Sequence, residues 1–410
     1  MVNVGLSRFF GGVREGTGRK WQIALASGFL FWAGCAEPAS RVELPGVEQL
    51  PAIEELPDVF VMNDGRRVES RADWAKRREE IKEMILYYQY GHMPPPPPKI
   101  TVRELSSETI YHGTAEKKHI LLTTGPDGQV KINAGMIIPQ GEGAFPVILK
   151  NDRRIFNVPL AEEIVRRGYI VVDYARTDLD PDENKVVGPA QAAYPDYDWA
   201  TLAVWAWGGM RVIDYLVTLD CVDSDRIVFT GQSRGGKTAL LAGALDERIA
   251  LAAPNGSGCG GAGCYRILGE KAETLDDITQ ESRFSYWFQP RLREFAGREE
   301  RLPFDQHFLK ALVAPRALLS LDALGDLWAN PLGTQQTYRA AQPVFDFLGA
   351  SGHNGIHFRP GGHAQNEEDW RALVDFADMV FFHKKVERHF YQLPFPEVPP
   401  AFSWSAPPIK

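Results

Sequence analysis

The chain has 410 residues, 44% apolar and 24% charged, which is ordinary for a soluble globular protein and excludes whole-chain disorder, collagen and coiled coil. Lys and Arg total 45 against 53 Asp and Glu, a formal charge of −8. A mildly acidic chain has no general attraction for a phosphate backbone, so nucleic acid is not an expected partner.

The N-terminus reads as an export signal. Arg14, Arg19 and Lys20 supply a basic region, and Trp21 to Gly34 (WQIALASGFLFWAG) is apolar but too short to span a membrane comfortably. Ala33-Gly34-Cys35 resembles the end of a bacterial lipoprotein signal, where small residues admit the peptidase and the thiol takes the lipid. The expectation is a signal over 1–34, with a lipid anchor at Cys35 or plain secretion, and no transmembrane segment in the mature chain. Localisation is then periplasm, outer membrane or medium. The body keeps Cys221, Cys259 and Cys264, too few for a disulfide scaffold, so a hydrophobic core must hold the fold.

Residues 36–58 repeat Leu-Pro at 44–45, 50–51 and 56–57, which favours extended chain and predicts a tether or a strap. Trp74, Ile81, Met84, Ile85 and Tyr88 lie near helical spacing and predict a helix from Asp73 to Tyr90, capped by Ser70 or Asp73 and closed by Gly91. Residues 100–150 alternate like strands, with a turn at Gly125-Pro126-Asp127-Gly128. Beyond 160 the rhythm becomes strand and helix in turn. Helices are expected at 160–167, 199–219, 237–245, 334–347 and 367–383. Strands are expected at 169–173, 226–230, 249–253, 317–321 and 357–359. Such alternation argues for a mostly parallel sheet flanked by helices. Residues 59–390 form the expected main folded domain, and 391–410 a Pro-rich surface tail.

Gly231-Gln-Ser233-Arg-Gly235 matches G-x-S-x-G, with an apolar strand before it and an apolar helix after it. The motif presents a serine on a tight strand-to-helix turn, where backbone N–H groups favour an anion. Serine needs a base, and the base an acid, in the chain order Ser, Asp/Glu, His. Asp322 and Asp326 follow the 317–321 strand; Asp326 sits in a turn after Gly325 and is the better placed, while Asp322 reads as a capping or turn carboxylate. His363 lies on the loop before the last helix; His357 lies within an apolar strand and reads as a core histidine. Arg234 and Lys237 place two cations beside the nucleophile, suiting an oxyanion and an acidic or hydroxylated substrate. His353 and His357 lack the helical context of a metal site, and the chemistry requires no metal or cofactor.

Gly231-Gln-Ser233-Arg234-Gly-Gly-Lys237 resembles the G-C-S-R-x-G-K signature of glucuronoyl esterases, carbohydrate esterase family fifteen. Agreement extends to Tyr194-Pro-Asp-Tyr-Asp198, Gly258-Cys-Gly-Gly-Ala-Gly-Cys264-Tyr-Arg266, Pro303-Phe-Asp305-Gln-His307 and Gly362-His363, and covers nearly all of 50–390. The resemblance implies an α/β-hydrolase fold, a three-layer α/β/α sandwich. It implies a serine esterase acting on esters of (4-O-methyl-)glucuronic acid on glucuronoxylan, the bonds that join hemicellulose to lignin alcohols. By it, Ser233 is the nucleophile, His363 the base and Arg234 an oxyanion donor. Lys237 binds sugar hydroxyls, and Glu281 (with Gln280 competing) and Trp328 line the uronate site. Two departures stand out. Fungal members carry a triad Glu in P-Q-E-S-G, where this chain reads Pro254-Asn-Gly256-Ser-Gly258. The fungal disulfide bracing the site is missing, since its positions hold Gln232 and Ala364. The alternatives are an acetyl-xylan or other simple carbohydrate esterase and a non-catalytic glycan-binding surface lipoprotein. The latter would use Trp199, Trp205 and Trp207, whose spacing more readily buries them in a core.

Overall fold

Three successive segments pair as antiparallel strands: β1 (Thr101–Ile110), an exposed edge, β2 (Ala115–Thr124) and β3 (Val130–Pro139). After them come β4 (Phe145–Asp152), β5 (Ile170–Ala175), β6 (Val222–Gln232), β7 (Ile249–Asn255), β8 (Ala317–Ala323) and β9 (Asn354–Arg359). The order across the sheet is β1-β2-β3-β5-β4-β6-β7-β8-β9. Every pairing from β5 to β9 is parallel. These observations come from a computed structural model that describes residues 43–408, so the expected signal, Cys35 and the last two residues lie outside the described residues.

The parallel strands read as apolar runs because helices cover both faces. All six residues of β5 and all seven of β8 are buried. Nine α-helices occur among the described residues: α1 (Arg71–Ile85), α2 (Ala161–Arg166), α3 (Pro189–Ala193), α4 (Thr201–Leu216), α5 (Arg234–Leu245), α6 (Leu275–Thr279), α7 (His307–Val313), α8 (Pro331–Leu348) and α9 (Glu367–Phe382). Alternate residues of one strand serve opposite layers. Val147 and Leu149 pack with Trp205 of α4, Leu240 of α5 and Leu312 of α7; Ile148 packs with Ile164 of α2 and Leu373 of α9. This is the α/β-hydrolase architecture expected from the sequence, three layers with a mostly parallel sheet in the middle.

Ser70 caps α1, its Oγ accepting the Asp73 N–H at 3.1 Å. The α-helical ladder stops at Ile85, and the last stretch to Tyr90 widens into a π turn before Gly91. Trp199, Trp205 and Trp207 are buried, so they serve the core and present no glycan platform. No helix among the described residues is long and apolar enough to cross a membrane.

From Leu44 onward the chain is one compact unit. Residues 44–58 run as a strap: the Ile53 N–H donates to the Glu300 carbonyl and Leu56 is fully buried. The tail lies alongside, the Leu56 N–H reaching the Ala401 carbonyl and Trp404 Nε1 the Leu56 carbonyl. Both meet His307, whose Nε2 lies 2.9 Å from the Pro57 carbonyl and whose ring stacks on Trp404.

Candidate active site

β6 runs into α5 through one residue. Ser233 holds φ 57° and ψ −123°, a conformation costly for a side-chain-bearing residue and typical of a constrained functional turn. The flanking glycines follow from crowding. A Cβ on Gly231 would lie 2.4 Å from the Gly235 carbonyl oxygen, and one on Gly235 would lie 2.9 Å from Asn151 Oδ1. Asn151, at the end of β4, donates its Nδ2 to the Thr230 and Gly235 carbonyls at 3.1 and 2.8 Å and ties both sides of the turn together. The serine therefore stands at the start of α5, beside the first N–H groups of the helix, which have no intrahelical acceptor.

Sheet order brings the other groups to it. The turn after β8 is stitched to the chain leaving β9: the Leu324 N–H donates to the Arg359 carbonyl and the Gly325 N–H to that of Gly361. Asp326 closes this turn, buried, with Oδ2 2.6 Å from His363 Nδ1. A carboxylate oxygen only accepts, so Nδ1 carries the proton and Nε2 is left as the basic nitrogen. The pair stands against the elbow. The Ser233 N–H donates to the Asn255 carbonyl, and a Cβ on the next residue, Gly256 (φ +48°), would lie 3.5 Å from Asp326 Oδ2 and 3.8 Å from His363 Nδ1. The Ser233 hydroxyl is not hydrogen-bonded to the imidazole, a contact that in many free enzymes tightens only with substrate.

Hydrogen bonds brace the His363 loop. Gln232 Nε2 donates to the His363 carbonyl. Arg359, buried and paired with Asp369 at 2.7 Å, donates to the carbonyls of Gly362 and Ala364.

The other candidates lie elsewhere. Asp322 is inside β8, buried, accepting from Thr334 Oγ1 at 2.9 Å; burial pushes its carboxyl up to about 8, so it is neutral at pH 7. His357 is inside β9 with Nε2 3.6 Å from Glu368, and burial together with Arg388 holds it below the usual imidazole range.

Arg234 extends over the faces of Trp287 and Phe284, at 4.5 and 5.5 Å from their ring centres. Its Nη1 is 2.7 Å from Asp182, whose other oxygen accepts from Tyr286 Oη and Trp287 Nε1. Burial opposes ionisation of Asp182, but the Arg234 charge and these hydrogen bonds outweigh it and hold the carboxyl below its ordinary range. Sequence reasoning missed Asp182; the spaced acids Asp178, Asp180 and Asp182 after β5 were the signal available.

Lys237 stands one turn into α5 from the nucleophile. It is buried, and its Nζ bonds the Ser257 carbonyl at 2.7 Å, Glu273 at 2.9 Å and the Cys259 carbonyl. These three contacts match the three donors of its ammonium. One turn into α5 the side chain faces the loop after β7, which it clamps. The buried carboxylate it meets, Glu273, was not anticipated. Glu281 is exposed on a neighbouring groove, its carbonyl held by Asn184, and Gln280 turns back to Asp276. Trp328 is half-exposed, with the Arg283 guanidinium 5.3 Å from its ring centre. Among the described residues no cluster of three or more His, Cys, Asp or Glu could hold a metal ion, and Cys221, Cys259 and Cys264 are free thiols.

Residues 123–349 match the family model described as glucuronyl esterase, fungi. The chain is 30% identical to a carbohydrate esterase from an unknown prokaryotic organism, over 78% of this chain and 88% of the relative. It is 31% identical to the 4-O-methyl-glucuronoyl methylesterase of Podospora anserina, over 77% of this chain and 64% of that longer relative. Among solved structures, the glucuronoyl esterase of Caldicellulosiruptor kristjansonii superposes with a TM-score of 0.75 at 30% identity, covering 88% of this chain and 99% of that one.

Proposed function

Because this chain belongs to the glucuronyl esterase family, we propose that Ser233, His363 and Asp326 carry its reaction and Arg234 receives the developing charge. The protein is a carboxylic ester hydrolase acting on glucuronoyl esters. The natural substrate in this reading is a uronate ester on glucuronoxylan, with lignin alcohols as the other half.

His363 Nε2 takes the Ser233 hydroxyl proton as Oγ attacks the ester carbonyl. Negative charge on the carbonyl oxygen settles against the Arg234 guanidinium and the N–H groups at the start of α5. A preorganised donor of this kind is worth about a hundred- to a thousandfold in rate. Asp326 keeps the imidazole oriented and stabilises its cation. Collapse expels the alcohol, which takes the proton from His363 and leaves the uronoyl group on Oγ. Water, deprotonated by His363, then attacks that acyl bond, and Oγ leaves with the proton while the uronic acid departs. Trp328 offers the sugar a flat face, and Lys237 shapes the loop beneath it.

The observation that carries the reading is the 2.6 Å Asp326–His363 contact beside the strained Ser233 turn. Ser233→Ala is expected to abolish release of methanol from methyl 4-O-methyl-glucuronate, leaving the thermal midpoint near wild type. Retained turnover would remove Ser233 as the nucleophile. Export belongs to the same proposal: residues 1–34 are cleaved and Cys35 is lipidated, which the intact mass of the mature protein checks.

A further inference from the structure

In this architecture the donors to a developing oxyanion come from the residue after the nucleophile and from the loop that follows a neighbouring strand. The sheet order β5-β4-β6 makes that neighbour β4. The chain leaving it reads Asp152-Arg153-Arg154, and several of its N–H groups are already committed. That of Arg153 donates to Asp152 at 2.6 Å, and those of Phe156 and Asn157 donate to Asp173 at 2.8 and 2.7 Å. What the loop brings to the site is charge. The Arg153 guanidinium, 60% exposed, has its Nη2 3.4 Å from Asp182 Oδ2, the same oxygen that Arg234 Nη1 holds at 2.7 Å.

Two guanidiniums thus face one carboxylate. The Asp182 side chain is almost fully buried, and its other oxygen meets neutral donors, Tyr286 Oη and Trp287 Nε1. Arg176 lies in the same field, but it is buried and also in the field of Asp152. The Lys150 charge is spent on Asp152 at 2.6 Å. Without Arg153, Arg234 and Asp182 would stand as a closed neutral pair, which offers an incoming anion a weaker field than a guanidinium with charge to spare. An exposed ion pair at the length of Arg153–Asp182 adds little to stability. Its consequence lies with the charge that appears during the reaction.

We propose that Arg153 is a positioning residue for the oxyanion site: acting through Asp182, which it shares with Arg234, it leaves more of the Arg234 charge for the carbonyl oxygen in the transition state. The inference rests on the esterase reading given above and deepens it. The bound ester is uncharged, so the effect is absent from the ground state and present in the transition state and in the carboxylate product.

The test is a charge series at one exposed position, Arg153→Lys, Arg153→Gln and Arg153→Glu, assayed on methyl 4-O-methyl-glucuronate at low ionic strength. The kcat/KM is expected to stay within about twofold in Arg153→Lys, to fall about three- to tenfold in Arg153→Gln and by as much again in Arg153→Glu, the scale of one charge acting over several ångströms near a protein surface. The inhibition constant of glucuronate, the anionic product, is expected to rise in the same order, while that of glucuronamide, its neutral counterpart, stays unchanged. A loss of packing would weaken both inhibitors together and would not sort the variants by charge. Equal losses in all three variants, full activity in Arg153→Glu, or inhibition by glucuronate and glucuronamide shifting in parallel overturns the role of Arg153 while the wild type still hydrolyses the ester. A wild type that leaves the methyl ester intact overturns the esterase reading, and this inference with it.

Discussion

Asp322 and Asp326 are four residues apart and differ in what surrounds them. Asp322 points into the interior, where burial keeps it protonated to about pH 8 and Thr334 satisfies it. Asp326 lies past the end of β8, where the turn carries its carboxylate to His363. Asp326→Asn offers a donor where the imidazole needs an acceptor, favouring the wrong tautomer; kcat is expected to fall by about 10⁴, as tautomer reversal does in serine hydrolases. Asp322→Asn replaces a neutral acid by a neutral amide of the same shape and is expected to leave kcat within about threefold. Steady-state kinetics on methyl glucuronate ranks the two, and the reverse order would move the acid to Asp322. Gly256 belongs with this pair. Fungal members carry their triad glutamate at this position, and here the absent side chain leaves the room that Asp326 and His363 occupy.

At the scale of the element, the loop from Gly361 to Gln365 has no covalent tie to the elbow. Gln232 holds it from the nucleophile side and the Arg359–Asp369 pair from below. Gln232→Ala removes the hydrogen bond from Gln232 to the His363 carbonyl while sparing Ser233 and His363 themselves. The expectation is a fall in kcat of about tenfold with KM nearly unchanged, because misplacing a base by a fraction of an ångström slows chemistry more than binding. An unchanged kcat, measured under saturating methyl glucuronate, would show that Arg359 suffices. The elements themselves were readable in the residues. The alternation in 100–150 and the strand–glycine–helix punctuation at 226–245 are local signals, and they produced β1 to β4 and the elbow. The distance of Lys237 from Ser233 along α5 is visible in the sequence, whereas the loop that meets that helix face arrives from residues 257–273.

For the molecule as a whole, strap and tail converge on one neutral histidine. Burial holds His307 down to about 3, with Arg266 and Lys310 adding to it, against the Pro57 hydrogen bond that favours the cation. Its folded pKa is below the unfolded value of 6.5, so between about 3 and 6.5 the unfolded state binds more protons and stability rises with pH. The contribution is full above 6.5 and is lost as acid approaches 3, at up to about 1.4 kcal/mol per pH unit. His307→Gln keeps a neutral donor for the Pro57 carbonyl and cannot titrate. Its thermal midpoint is expected to fall less steeply than wild type between pH 6.5 and 4; parallel curves would mean His307 does not couple acid to the strap.

Residue types and their order along the chain were enough to determine the layered parallel sheet, the serine on its turn, and a short set of acids and bases, because each depends on neighbours within about ten positions. Only tertiary structure could decide which carboxylate reaches His363, that Asp182 holds Arg234, and that Lys237 meets Glu273. Those outcomes depend on which strand ends lie side by side and on how deeply each charge is buried, and neither is written in local spacing.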